Sequence, residues 1–338
     1  MNQPTTSSRV QGAILGAFIG DALALGPHWY YNLDELRNDY GNWISDYTTP
    51  KEGRYHAGLK AGASSQSGVI LDLTLKSLIA NQGYDEKDFC KRLDDDLFPL
   101  LDGEPKHGPG GYTSQSIRDA WRARQAGNGW NQVASLSDNT EAAERVLAIA
   151  ALYFNNPNAI AEKVSSNTAL TQSDPTVGAM TCAYALVLGQ LLQGEALDDQ
   201  LSSKLMNLFM NKALPFHYAS PDALLTVSSI AQAVQQQEVR IEPAWKVSLL
   251  YGLPCAVYHQ LPAVYHLAAR FQGDFESAVL HAVNGGGQNM ARAMLTGALC
   301  GAIGGVEAIP KRFIDGLEKS NEYQLLAKQL AEIAMQIK

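Results

Sequence analysis

Four short stretches of this 338-residue chain carry side chains that could do chemistry. The first is Gly20-Asp21-Ala22-Leu23-Ala24-Leu25-Gly26-Pro27-His28-Trp29-Tyr30-Tyr31-Asn32. Asp21 is an acid in an otherwise apolar segment, so once desolvated it must be paired, ligated or hydrogen-bonded. It is either a site carboxylate or a structural Asp that binds loop amides and holds a helix end. His28 follows on a loop, where an imidazole near a carboxylate can exchange protons close to neutral pH. Trp29, Tyr30 and Tyr31 supply aromatic faces that either stack on a purine or ribose or plug the loop onto a helical core. Asn32 adds a polar tip. The second stretch is Gly62-Ala63-Ser64-Ser65-Gln66-Ser67-Gly68, just ahead of a helical run. Its hydroxyls and amide suit a neutral polar ligand or a phosphate, with Ser65 or Ser67 as a plain N-cap the alternative. The third, Asn284-Gly285-Gly286-Gly287-Gln288-Asn289-Met290, is a tight glycine turn feeding a helix. The fourth, His107-Gly108-Pro109-Gly110-Gly111-Tyr112-Thr113, is a loop able to cover a ligand that fits no phosphate-loop pattern.

Asp21 and His28 are the candidate acid and base. The candidate ligand contacts are Trp29, Tyr30, Tyr31, Asn32, Ser65, Gln66, Ser67, Tyr112, Asn284, Gly286, Gly287, Gln288 and Asn289, together with His56, placed to face the same cavity. Glu144 and Arg145 lie mid-helix, and Arg145 reads equally as a buried ion-pair partner or a ligand clamp. Asp72 falls within a helix rather than at its start. His217, His259, His266 and His281 show no ligand spacing and read as surface or packing residues.

Helices must position these groups. Helical periodicity or composition marks 12–25, 69–82, 114–125, 140–154, 157–167, 177–192, 197–211, 221–236, 243–250, 261–271, 274–283, 290–303 and 324–337. Stops such as Asn81-Gln82-Gly83 and starts such as Ser173-Asp174-Pro175 separate them. Gly297, Gly301, Gly304 and Gly305 permit close helix–helix packing. No alternating strand run, linker or repeat interrupts the pattern. The expectation is an all-α protein, a single compact many-helix orthogonal bundle forming one domain over 1–338. Stretches 26–63 and 103–112 are the long irregular ones, and such loops usually line a site or form a lid.

Composition narrows the function classes. The chain is 46% hydrophobic with net charge −8, and no Lys/Arg cluster exceeds a pair. A phosphate-tracking nucleic-acid surface is therefore not expected. Cys90, Cys182, Cys255 and Cys300 are far apart without metal spacing, which predicts reduced, mostly buried thiols. The polar start MNQPTTSSRV has no signal-peptide pattern, and the apolar run 12–26 contains Asp21 and falls short of the ~20 residues a bilayer needs. A soluble, cytoplasmic protein with no membrane partner is expected.

The segment from Gly16 to Gly26 resembles the GxxxGDALG-like first helix of the ADP-ribosylglycohydrolase family. The extension PHWYYN, with Tyr47 and Pro50, is similar to that family's crystallin J1 and selenoprotein J branch. The resemblance continues through 61–78, the Arg-containing stretch 141–153, Leu170-Thr171-Gln172-Ser173-Asp174-Pro175 and 283–305. It implies the family's helical fold. It also implies hydrolysis at the anomeric carbon of ADP-ribose, with two Mg²⁺ or Mn²⁺ ions binding ribose hydroxyls and positioning water. The family's metal motifs, Thr-Asp-Asp-Thr and Gly-Gly-Asp-x-Asp-Thr, are degenerate here. Ser65, Gln66, Ser67 and Gly68 stand at the first, and Gln288, Met290 and Ala291 at the second. Hydroxyl and amide oxygens without carboxylates bind a hard dication weakly, so no metal and no cofactor is expected.

Two kinds of function follow. One is hydrolysis or binding of an N- or O-glycosidic ribosyl ligand, ADP-ribose- or nucleoside-like, without a binuclear metal centre. Asp21 or His28 would be the acid/base, and Gln66, Ser67, Gln288 and Asn289 would hold ribose hydroxyls. The other is a non-catalytic pseudoenzyme or a crystallin-like structural protein, against which a deep polar cavity lined by His28, Gln66 and Gln288 would count. The expected partner is a small ribosyl or nucleotide-like molecule, and the sequence sets no oligomeric state.

Overall fold

The computed structural model describes residues 3–211, 214 and 220–337, so His217 lies outside the described residues. Helices α1 (Thr6–Ala24) and α14 (Asn289–Gly304) form the central pair and are buried along most of their length. Small residues explain the pairing. Gly12, Gly16 and Gly20 recur one turn apart on α1 and meet Gly301, Gly297 and Ala293 of α14. A Cβ at Gly16 would lie 2.2 Å from the Gly297 carbonyl oxygen, and one at Gly297 would lie 2.1 Å from that of Gly16. The two backbones therefore touch directly.

Around this pair pack α3 (Gln66–Ala80), α6 (Glu141–Leu152), α8 (Pro175–Leu192), α12 (Val257–Arg270), α13 (Phe275–Val283) and α16 (Ser320–Ala334). A smaller apolar cluster joins α3 to α4 (Glu86–Arg92) and α5 (Gln115–Gln125) through Ile70, Phe89, Leu93 and Ile117. Among the described residues there are no strands, only isolated bridges at Ser135–Gln172 and Asn139–Ala256. The architecture is an all-α, many-helix bundle. Helix α8 is long and apolar enough by length and composition to cross a bilayer, but 67% of it is buried inside the bundle. That is the behaviour of a core helix. All four cysteines are free thiols, with Cys255 partly exposed and the other three buried.

The stretch 26–63 is not wholly irregular. It contains α2 (Leu33–Tyr40), capped by Asn32, whose side-chain oxygen accepts the Asp34 amide at 2.9 Å. Only Leu36 of this helix is buried, so it carries no apolar period to read. α4 and the short α15 (Lys311–Gly316) escape pattern reading for a related reason, since each is too short for two turns of periodicity.

Candidate functional site

The start of α3 organises one half of the site. Ser65 caps the helix, its Oγ accepting the Ser67 amide at 3.0 Å. Asp21, in the last turn of α1, accepts the Ser65 amide through Oδ2 at 2.9 Å and the Ser65 hydroxyl through Oδ1. The carboxylate therefore holds the beginning of α3, where the helix dipole favours negative charge. It gets this close because Gly68 has no side chain: a Cβ there would lie 2.4 Å from Asp21 Oδ2. Asp21 is fully buried. Burial lifts its pKa to about 6, against the lowering effect of the two Ser65 bonds.

A second buried carboxyl lies nearby. Glu144 of α6 accepts the Thr140 hydroxyl at 2.6 Å and is also hydrogen-bonded to Ser67. Burial raises its pKa to about 7, with the Ser67 and Thr140 bonds opposing and the charges of Glu141 and Asp21 adding to the rise. Sequence reasoning left Glu144 mid-helix without a role. The available signal was two acids in the otherwise apolar run EAAERVLAIAAL. Its neighbour Glu141 pairs with Arg145, which also donates to the Asn167 side chain at 2.7 Å and to the Thr171 hydroxyl at 3.0 Å. Arg145 is thus the buried ion-pair partner. Gln66 accepts the Ser114 amide at 2.9 Å, while its Nε2 is buried without a hydrogen-bond partner among the described residues.

The other half is a histidine pair. His28 Nδ1 lies 2.7 Å from His56 Nε2, and His28 Nε2 lies 2.7 Å from Gln288 Oε1. His56 Nδ1 faces the Gly110 carbonyl. Burial pushes the His28 pKa down to about 4 and takes His56 well below its ordinary value, with the His28 charge adding to the effect. Both rings are neutral near pH 7, so each carries one N–H. His56 must spend its proton on the Gly110 carbonyl, and it then accepts from His28 Nδ1–H. His28 Nε2 is left as an acceptor, so Gln288 must present its NH₂ rather than its oxygen. Amide orientation is an assignment that such a network decides. With Gln288 Oε1 facing His28, the same chain needs one extra proton.

The loop expected to cover a ligand lies directly on the start of α3. Gly110, with φ of 74°, brings its backbone so close that a Cβ would sit 2.9 Å from Ser65 Cα. Tyr112 packs edge-on against His28 at 5.3 Å and against Trp29 at 4.8 Å, with Tyr55 closing the cluster. His28, Gln66 and Gln288 are only 2, 2 and 6% exposed beneath it. Tyr30 turns elsewhere: its hydroxyl donates to Asp39 of α2 and its ring lies 3.9 Å below the Arg54 guanidinium. Tyr31 is half exposed beside Trp29, and Asn32 is occupied as the α2 cap.

The glycine turn completes this pole. Gly286 and Gly287 take φ of 66° and 60°, a left-handed pair that glycine adopts without strain. Gly287 donates to the Tyr30 carbonyl at 2.8 Å and accepts the Trp29 amide at 3.1 Å. Asn289 donates to the Pro27 carbonyl at 3.0 Å, and Asn284 bonds both backbone groups of Ile44 at 2.8 Å. Behind the turn lies Arg292, fully buried. It donates to the Ala282 carbonyl at 3.1 Å, to Gln260 Oε1 at 3.2 Å and to the Gly286 carbonyl. No carboxylate pairs with it among the described residues, and burial lowers its pKa to about 9.

These residues do not fit a divalent cation. Ser65 and Ser67 are committed to Asp21 and Glu144, Gln288 to His28, and Met290 and Ala291 are buried apolar side chains. Among the described residues, no group of three or more His, Cys, Asp or Glu could hold an ion. A hard cation wants several carboxylate or carbonyl oxygens at once, which these positions do not offer.

The molecule is thus an all-α bundle in which Asp21, the histidine pair and the glycine turn meet at one pole, between the end of its first helix and the starts of α3 and α14. The chain belongs to the ADP-ribosylglycohydrolase family, whose model matches residues 2–337. An uncharacterized protein of Archaeoglobus fulgidus is 25% identical over 335 residues, covering 97% of this chain and 98% of that one. Crystallin J1A of Tripedalia cystophora is 23% identical over 359 residues, with 98% and 99% covered. A solved structure described as an ADP-ribosylglycohydrolase-related protein complex shares the fold at a TM-score of 0.66 with 21% identity, covering 98% of this chain and 99% of that one.

Proposed function

We propose that this protein acts on the glycosidic bond of a ribosyl ligand, ADP-ribose- or nucleoside-like, without a binuclear metal centre. It would belong to the crystallin J1-like branch and work in the cytoplasm. The observation that carries the reading is a pair of buried carboxyls at the start of α3, Asp21 on Ser65 and Glu144 on Ser67, both raised by burial, to about 6 and about 7. Cleavage of such a bond passes through an oxocarbenium-like state and needs one carboxyl protonated near neutral pH and one ionised. Glu144 is the acid that protonates the leaving atom, since Asp21 already accepts two bonds from Ser65 as a carboxylate; water then adds to the anomeric carbon and returns a proton to Glu144. Asp21 stays ionised and stabilises the developing positive charge. Gln66 Nε2 and Asn289 Oδ1, buried without hydrogen-bond partners among the described residues, present a donor and an acceptor to ribose hydroxyls, and His28 and Gln288 would join them by giving up their mutual bond. Access requires the Pro109–Gly111 turn to lift from α3.

The test is turnover of a panel of ADP-ribosyl and nucleoside substrates. Asp21→Asn and Glu144→Gln are each expected to cut the rate by about 100-fold or more. Unchanged rates in both variants would remove these residues from the mechanism.

A second reading, a non-catalytic protein, has its own support. Both His28 ring nitrogens are already satisfied by His56 and Gln288, as in a finished core. A wild-type chain that turns over nothing in the panel, yet resists thermal unfolding, would favour it.

A further inference from the structure

The glycine turn has a second face. Away from the histidine pair, between α2 and the turn, lies a cavity of about 220 Å³ lined by Leu33, Leu36, Arg37, Trp43, Trp245 and Asn284. Two of its walls are indoles. Trp43 packs edge-on against His281 at 4.9 Å, with 42% of the residue exposed. Trp245 lies 5.4 Å beneath the Arg37 guanidinium, and its backbone amide is held by His281 Nδ1 at 3.2 Å.

Asn42 also lines the cavity, and the cationic and indole groups here are all donors. Arg37 spends one nitrogen on the exposed Asp34 at 3.1 Å. Its remaining N–H groups and both indole N–H groups make no hydrogen bond among the described residues. Asn284 contributes only a wall, because its side chain is committed to Ile44 and Leu280. Aromatic faces beside unspent cationic and indole donors recognise a flat ring that carries negative charge. The volume is below the range of ~300 to 1,000 Å³ usual for whole drug-sized ligands, so one ring or a fused pair is the right size.

We propose that this cavity is a binding site for a small planar aromatic anion, separate from the His28 pole. Trp43 and Trp245 take the ring, and Arg37 takes the anionic group. The site goes beyond the ribosyl reading and does not depend on it.

The experiment is a tryptophan-fluorescence titration of the full chain with nicotinate and with quinoline-2-carboxylate, using nicotinamide and acetate as the ring-only and anion-only controls. At least one of the two aromatic anions should saturate, and at least about 10-fold more tightly than either control. Arg37→Met should weaken that ligand about 10-fold, and Trp43→Ala should weaken it similarly, with melting temperatures close to wild type. Calorimetry repeats the Trp43→Ala measurement, since that variant lacks a reporter ring. If neither nicotinate nor quinoline-2-carboxylate saturates below about 10 mM, the proposal is overturned. Binding that survives both substitutions unchanged lies elsewhere and overturns it too. Neither result bears on Asp21 or Glu144, whose variants test the hydrolase reading.

Discussion

Glu144→Gln should make this protein more stable at alkaline pH. Burial raises the carboxyl from its ordinary 4.5 to about 7. Between those two values the folded state holds a proton that the unfolded chain has released. Stability from this group is therefore greatest below pH 4.5, falls as pH rises, and is fully lost above about 7. The shift corresponds to about 3 kcal/mol of destabilisation at pH 8. Glutamine has nearly the same shape. Its oxygen can keep the 2.6 Å bond from Thr140, and the Ser67 hydroxyl can rotate to accept from its NH₂. The variant carries no charge to desolvate, so it should exceed wild type by up to about 3 kcal/mol at pH 8 and match it near pH 4.5. Asp21 titrates in an overlapping window, from 3.8 to about 6, but it is present in both proteins. Urea unfolding from pH 4.5 to 8 measures the difference, with an unchanged m-value confirming the same transition. A variant less stable than wild type at pH 8 would refute the reasoning. So would a difference that does not shrink with acid. A gain in stability joined to a loss of turnover would mark Glu144 as a group kept for chemistry at the expense of the fold.

Three further outcomes are expected. Gly297→Ala drives a methyl to 2.1 Å from the Gly16 carbonyl, and with backbone on both sides it should cost about 3 kcal/mol, read as a lowered melting temperature. Glu141→Ala strands the buried Arg145 guanidinium and should cost about 3–5 kcal/mol by chemical denaturation; Glu141→Gln should recover part of that loss. Arg292→Met leaves the Gly286 and Ala282 carbonyls and Gln260 without their donor, so amide exchange across 284–288 should accelerate about 10-fold or more while α8 stays protected. Equal acceleration throughout the bundle would make Arg292 a general core residue rather than the anchor of the turn.

What the sequence made legible was whatever a regular period or a single residue type encodes. Glycines one turn apart on α1 meet small residues at matching spacing on α14, which makes close packing readable without coordinates. α2 was not readable, because an eight-residue helix with one buried side chain has no period. Partner choice was equally hidden. Glu141 and Glu144 look alike in an apolar helix, and only their direction shows that one neutralises Arg145 while the other meets Ser67. Aromatic direction was hidden too: Trp29 and Tyr30 are adjacent in sequence, yet Trp29 joins the His28 cluster and Tyr30 serves α2.

The glycine turn keeps its shape without charged oxygens because neutral and cationic donors pull on its backbone from opposite sides. On one side Gln288 bonds His28, and Gly287 exchanges two backbone bonds with residues 29 and 30. On the other, Arg292 brings a full positive charge to carbonyl oxygens, including that of Ala282 in the last turn of α13, where the helix dipole is negative. A buried guanidinium that meets no carboxylate among the described residues is costly to desolvate, which is why its pKa falls to about 9. That cost is tolerable only if several carbonyl dipoles converge on it, as they do here. Introducing an acid at Gln288 would therefore do more than supply a metal oxygen. It would break the neutral His28 chain by replacing the Gln288 donor with an ionised acceptor, facing a pair that carries no spare proton. Gln288→Asp should accordingly raise the histidine pKa values, visible by NMR titration, before it yields any measurable Mg²⁺ affinity by calorimetry. Tight Mg²⁺ binding by this single variant, with the histidines unmoved, would show that the turn is still shaped for a cation.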